Sequence, residues 1–215
     1  MAMQISIARI PAQRAAAQPI WTALRELCCR TGNAGDPIPT QRWALFGRIW
    51  VEPYQVLLPQ WSYVALADGL VVGYLTGCPD TARFARRRWL RCTLPLVGQI
   101  AFGGYRDDDS RWRYLRQALR LEGGAEGAFP PRLWRRLNQE FPAHLHINVD
   151  ADYRRGGLGQ RLIEQFLDDL RQRQIAGVHL LCGAAPLPFY RRVGFHQLAV
   201  TPVRGDNVHV MGLGL

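Results

Sequence analysis

Val149-Asp-Ala-Asp-Tyr-Arg-Arg-Gly-Gly-Leu-Gly-Gln-Arg161 is the stretch on which the fold turns. Ahead of it, HLHINV (144–149) reads as a strand. After it, GLGQRLIEQFLDDLRQRQ (157–174) reads as a helix, with Leu158, Leu162, Phe166 and Leu170 on one stripe and Ile163 and Leu167 beside it. A strand that passes through a Gly/Arg-rich turn into a helix builds an anion site. The first N–H groups of a helix have no intrahelical acceptor, and the helix dipole adds partial positive charge there. Gly156, Gly157 and Gly159 let anion oxygens approach the main chain, and Arg154 and Arg155 add guanidinium forks suited to phosphate.

Two familiar phosphate patterns fail here. No Gly-Lys-Ser/Thr follows, so the turn is not a Walker loop. The G-x-G-x-x-G pattern breaks at its third position, where Leu162 stands, and the acid expected about 20 residues on is missing from VHLLCG (178–183). What survives is R-x-x-G-x-G, as Arg154, Gly157 and Gly159. Downstream come a strand over VHLLCG and a short helix over PLPFYRRV (186–193), which holds Phe189-Tyr190 and ends before Gly194-Phe195.

Loop, helix, strand and FY…GF in this order resemble the acyl-CoA-binding segment of the GNAT N-acyltransferase superfamily over about residues 142–198. FPAHLHINV, GYLTGCPDT and GVHLLCG also resemble the acetyltransferase-like domain of O-GlcNAc hydrolases and its free-standing bacterial relatives. The resemblance implies an α/β (α+β) fold: a mixed, mostly antiparallel twisted sheet, flanked by helices and splayed where the donor enters. It implies an N-acetyltransferase that passes an acetyl group from acetyl-CoA to a primary amine by direct attack, without a metal. Cofactor-binding residues would be Ile147, Asn148 and Val149 on the strand, Arg154, Arg155, Gly156, Gly157, Leu158, Gly159 and Gln160 at the turn, and Phe189 beside the pantetheine arm. Tyr190 matches the tyrosine that protonates the leaving thiolate, and Asp80 matches an aspartate of the narrower group, so both are candidate catalytic residues.

The chain departs from the family pattern at three places. Ala151 stands where proline is common, no asparagine precedes Phe189-Tyr190, and Asn148 replaces an aspartate, which removes a base at that position. Asp150, His144 and His146 are the other base candidates, with water as a further route. His144, His146 and Asn148 share a strand face, but H-x-H alone lacks a third metal ligand. These departures keep a second hypothesis open, a catalytically silent acyl-CoA-binding or interaction module.

The rest of the chain frames this segment. Hydrophobic residues at 48% of 215 suffice for a sizeable core, and one domain over 1–215 is expected. Residues 3–10 read as a strand, 19–30 as a helix with Pro19 at its start, and 41–50 as a short helix. Trp43, Phe46 and Trp50 line one face of that helix as core, or as the wall of a substrate pocket. SYVALA and LVVGYLTG flank Asp68-Gly69, a hairpin turn signal. Residues 80–141 read as a helical insertion broken at Pro95, Gly103-Gly104, Gly123-Gly124 and Pro130-Pro131. Two strands over 195–202 and 207–213 close the chain.

Five cysteines, odd in number and without a CxxC pair, argue against a disulfide framework or a zinc site. The start lacks the apolar centre of a secretory signal, so the expected location is the cytoplasm, with no membrane partner. The net charge of +10 comes from 27 arginines and no lysine. The arginine-rich run 83–91 fits a solvated helix face better than a nucleic-acid surface. The expected partners are acetyl-CoA and an amine of unread identity, and a homodimer is left open.

Overall fold

The computed structural model describes residues 4–33, 35–119, 126–203 and 205–215. Strands β1 (Ile5–Arg9), β2 (Ser62–Ala67), β3 (Leu70–Cys78), β4 (Ala143–Val149), β5 (Gly177–Cys182), β6 (His196–Val203) and β7 (Asp206–Gly214) form one sheet in the order β1-β2-β3-β4-β5-β7-β6. All neighbours are antiparallel except β4 and β5. Asp68 and Gly69 both take positive φ, 47° and 84°, as a two-residue hairpin turn requires.

Around the sheet lie α1 (Arg14–Arg30), α2 (Trp43–Trp50), α3 (Glu52–Leu57), α4 (Thr81–Arg88), α5 (Leu94–Ala101), α6 (Ser110–Ala118), α7 (Pro131–Glu140), α8 (Leu158–Gln172) and α9 (Leu187–Arg192). Helix α8 covers one face, with Leu158, Leu162, Ile163, Phe166 and Leu170 packed on Tyr63, Leu75, Leu145 and Val178. Gly77 makes this possible: a Cβ there would lie 2.3 Å from the Phe166 ring. Helix α1 covers the other face, with Trp21, Leu24, Leu27 and Cys28 against Val64 and Tyr74. The core is therefore two apolar layers with the sheet between them.

Two local expectations are corrected. Helix α1 starts at Arg14, so Pro19 lies inside it rather than at its start. The alanine-rich RAAAQ is a strong helix former and extends the first turns. Pro95 does not break its segment. A π turn over Trp89–Thr93 joins α4 to α5, with the Leu94 N–H on the Trp89 carbonyl, and the wider turn takes up the ring that an α-helical ladder would reject. Helix α3 is an addition that the sequence pattern did not show. The break at Gly123-Gly124 and the first residue of the expected strand, Met3, fall outside the described residues. No described helix is long and apolar enough to cross a membrane.

Candidate active site

β4 and β5 are in register only at Ala143↔Val178 and His144↔His179. Beyond this they separate, although β4 continues to Val149 and β5 to Cys182. The Asp150 N–H donates to the Val72 carbonyl on β3. Backbone groups alternate along an antiparallel strand, so His146 and Asn148 also address β3, while Ile147 and Val149 turn their N–H and C=O toward the gap. Of the three residues expected on this strand, Ile147 and Val149 thus offer main-chain donors to the gap, and Asn148 does not.

At the mouth of the gap the chain makes the expected turn. Arg155 and Gly157 take positive φ, 70° and 76°, which swings the chain into α8. Gly157 caps α8 with no side-chain acceptor, and no acidic residue stands in the first turn. The N–H groups of Leu158, Gly159 and Gln160 therefore have no intrahelical acceptor. The Gln160 side chain turns along the helix to Glu164, at 2.8 Å, so only its main chain serves the turn. Gly159 has a second duty: a Cβ there would stand 3.1 Å from the Phe189 ring and 3.8 Å from Val149. The missing side chain lets α8, α9 and β4 meet at the gap. Nothing crowds Gly157, and Gly156 has only the Tyr153 carbonyl, 3.7 Å from where its Cβ would stand.

The two arginines differ. Arg154 spends Nε on the Val149 carbonyl at 3.0 Å and a terminal nitrogen on the Gly35 carbonyl at 3.2 Å. These two bonds make it a strut between the turn and the α1–α2 loop. Arg155 is exposed beside the helix N-terminus.

Tyr190 lies on α9, its ring centroid 5.2 Å from that of Phe189 and 5.8 Å from that of Phe195. The residue is buried, and no described protein group hydrogen-bonds its hydroxyl, yet the oxygen is not sealed from solvent-accessible space. Burial pushes its pKa well above the usual phenol range, with Cys182 adding to the effect, so the hydroxyl stays protonated at neutral pH.

The side chains of His144, His146 and Asn148 point away from α8, toward α1, α2 and α3. The Thr81 hydroxyl donates to the Pro142 carbonyl at 2.7 Å, so its oxygen accepts the Nδ1–H of His144 at 2.8 Å. That fixes the tautomer, and Nε2 of His144 accepts the Tyr54 hydroxyl at 2.9 Å. The Asn148 amide donates to Tyr74 Oη at 2.7 Å and to Nε2 of His146 at 3.2 Å. Trp50 stacks on His146 at 5.6 Å and 21° while 43% of it stays exposed, so this member of the aromatic stripe is at the cleft wall and not in the core. Burial lowers both imidazoles: His146 to about 4, and His144 well below its usual value with help from His179, Arg88 and His146.

Asp80 is corrected. It is the N-cap of α4, its carboxylate accepting the Arg83 N–H at 2.9 Å. Asp150 pairs with Arg30 at 3.1 Å and accepts the Asp152 N–H at 3.4 Å. Sequence reasoning named the histidines but missed Tyr54, Tyr74 and Thr81. These meet β4 only through the register of β3 and the placement of α3 and α4, which no local pattern displays.

Residues 131–197 match the family described as acetyltransferase (GNAT) domain. The chain is 36% identical over 58 residues to the [ribosomal protein bS18]-alanine N-acetyltransferase of Escherichia coli (strain K12), a match that takes in 26% of this chain and 39% of that one. The solved structure of SsHAT superimposes with a TM-score of 0.72 at 28% identity, covering 98% of each chain. The Drosophila melanogaster polyamine N-acetyltransferase gives 0.57 at 15% identity, covering 99% of this chain and all of that one, a likeness of fold alone. A seven-stranded sheet opened between β4 and β5, with a helix N-terminus that no side chain caps at the opening, matches the GNAT fold, and within it residues 131–197 match the GNAT acetyltransferase domain.

Proposed function

We propose that the protein transfers the acetyl group of acetyl-CoA to a primary amine by direct attack. The observation that carries this reading is the gap between β4 and β5, where Ile147 and Val149 turn their main-chain N–H groups away from β3, on the strand that leads into the α8 turn. The N–H groups of residues 157–160, with Arg155, suit a pyrophosphate. The strand donors suit an amide-bearing arm and the oxygen of a thioester, and Phe189 walls the channel. Arg154 holds the turn in shape. Tyr190, protonated and without a protein partner, is the group we assign to protonate the departing thiolate. The E. coli relatives are named for acetylating an alanine, which supports an amine acceptor.

The test pairs calorimetric titration of acetyl-CoA with thiol release across an amine panel. Micromolar binding and amine-dependent thiol release are expected. Tyr190→Phe should lose turnover about 100-fold while keeping its affinity for acetyl-CoA. Binding without thiol release from any amine would replace this reading with that of a silent acyl-CoA-binding module.

A further inference from the structure

From Thr81 to Phe102 the chain carries five arginines, at 83, 86, 87, 88 and 91, and no aspartate or glutamate. The segment runs as one rod: α4, the π turn over Trp89–Thr93, then α5. Phe84, Leu96 and Ile100 are buried on its inner side, Phe84 against Tyr54 of α3 and the other two with Leu45 of α2. Residues 84 and 96 would stand about 120° apart around an unbroken α-helix. The wider turn removes most of that angle, so both reach the interior. The outer side of the rod is apolar as well. Trp89, Leu90 and Leu94 are 40%, 57% and 50% exposed, and Phe102, just past its end, is 92% exposed. Arg83, Arg86 and Arg91 are exposed alongside them. A surface helix ordinarily turns polar groups to water, whereas one that is apolar on both sides has a second apolar surface to bury.

We infer that this outer face of α4 and α5 rests on an anionic lipid surface, with Trp89, Leu90, Leu94 and Phe102 in the interface and the arginines on lipid phosphates. Charge and side-chain type together select that occupant. Guanidinium forks suit phosphate oxygens, and leucine, phenylalanine and tryptophan beside cations are the makeup of a helix that lies in a membrane interface. Nucleic acid would use the arginines and stack on the aromatics, but it has no use for Leu90 and Leu94. A second copy would set the same arginines against one another. A contact along the surface needs no spanning helix, and it replaces the expectation of no membrane partner. Phe84 stacks on Tyr54, whose hydroxyl reaches His144, so the lipid-facing rod backs onto the face of the sheet that carries the β4 histidines. The contact does not depend on acetyl transfer.

The full chain is floated with vesicles of phosphatidylcholine alone, and with vesicles of phosphatidylcholine and about 30% phosphatidylglycerol. Binding is expected to the anionic vesicles only, with a blue shift of the tryptophan emission. Leu90→Ser with Leu94→Ser should weaken it by about 10-fold or more. Phe102→Ser, beyond the helix end, repeats the apolar test without touching the rod. Arg86→Gln with Arg91→Gln should weaken binding about 20-fold. The matched control, Arg132→Gln with Arg135→Gln, removes the same charge from exposed positions on α7 and should cost less than about threefold. No flotation with anionic vesicles overturns the proposal. So does an equal loss in the α7 control, or flotation that survives loss of both the leucines and Phe102, which is adsorption by net charge. Self-association, or retention on single-stranded RNA, that the leucine changes abolish in a chain that ignores vesicles gives the face to a second copy or to nucleic acid, and overturns it as well.

Discussion

His146 shows how a single side chain ties the site to stability. It is held near pKa 4 in the folded chain, against 6.5 for an ordinary imidazole. As pH falls, the unfolded chain therefore binds the proton first. The stability from keeping His146 neutral is complete above about 6.5 and is lost between 6.5 and 4. His144 and His179 titrate in the same sense. His146→Gln should flatten the acid limb of the melting temperature against pH by about one proton's worth of slope, measured by calorimetry from pH 4 to 7. Asp80 answers differently. As an N-cap it should cost about 1 kcal/mol when replaced by alanine, and a denaturant titration reads this directly. No resolved change in stability would mean that the cap bond contributes little, and the assignment of Asp80 to structure would fall.

Among the elements, those with a local cause were legible in the sequence. Asp68-Gly69 dictates its hairpin, the Leu158-to-Leu170 stripe dictates α8, and Gly194, at φ 95°, ends α9. The glycine turn into α8 was legible because Arg155 and Gly157 bend the chain within the turn itself. Features set by contacts distant in sequence were not legible. Which strand residues face the gap depends on the β3–β4 register. Arg154 becomes a strut only because the α1–α2 loop brings the Gly35 carbonyl beside it. The π turn arises where Pro95 follows a helix that the packing of Phe84 and Leu96 keeps continuous. Gly77 is another such case, since its need appears only when α8 is laid on the sheet. Gly77→Ala drives a methyl group into Phe166 and should cost about 1–3 kcal/mol, seen as a lower denaturant midpoint with an unchanged slope.

Over the whole molecule, the basic surface is built of arginine alone. A chain without lysine offers its own chemistry no side-chain amine, so intact mass after prolonged incubation with acetyl-CoA should show at most one acetyl adduct, at the N-terminus. The sheet itself is unevenly stitched. Six register pairs join β3 to β4 and six join β5 to β7, but two join β4 to β5. The strands before and after that seam are expected to open as two blocks, coupled through α8, which packs on both. A donor lying along the open edge of β4 acts as a splint across the seam and merges the two blocks. Saturating acetyl-CoA should sharpen the melting transition as well as raise it, and amide hydrogen exchange at Ile147 and Val149 should slow far more than at Asn148, whose N–H is already held by β3.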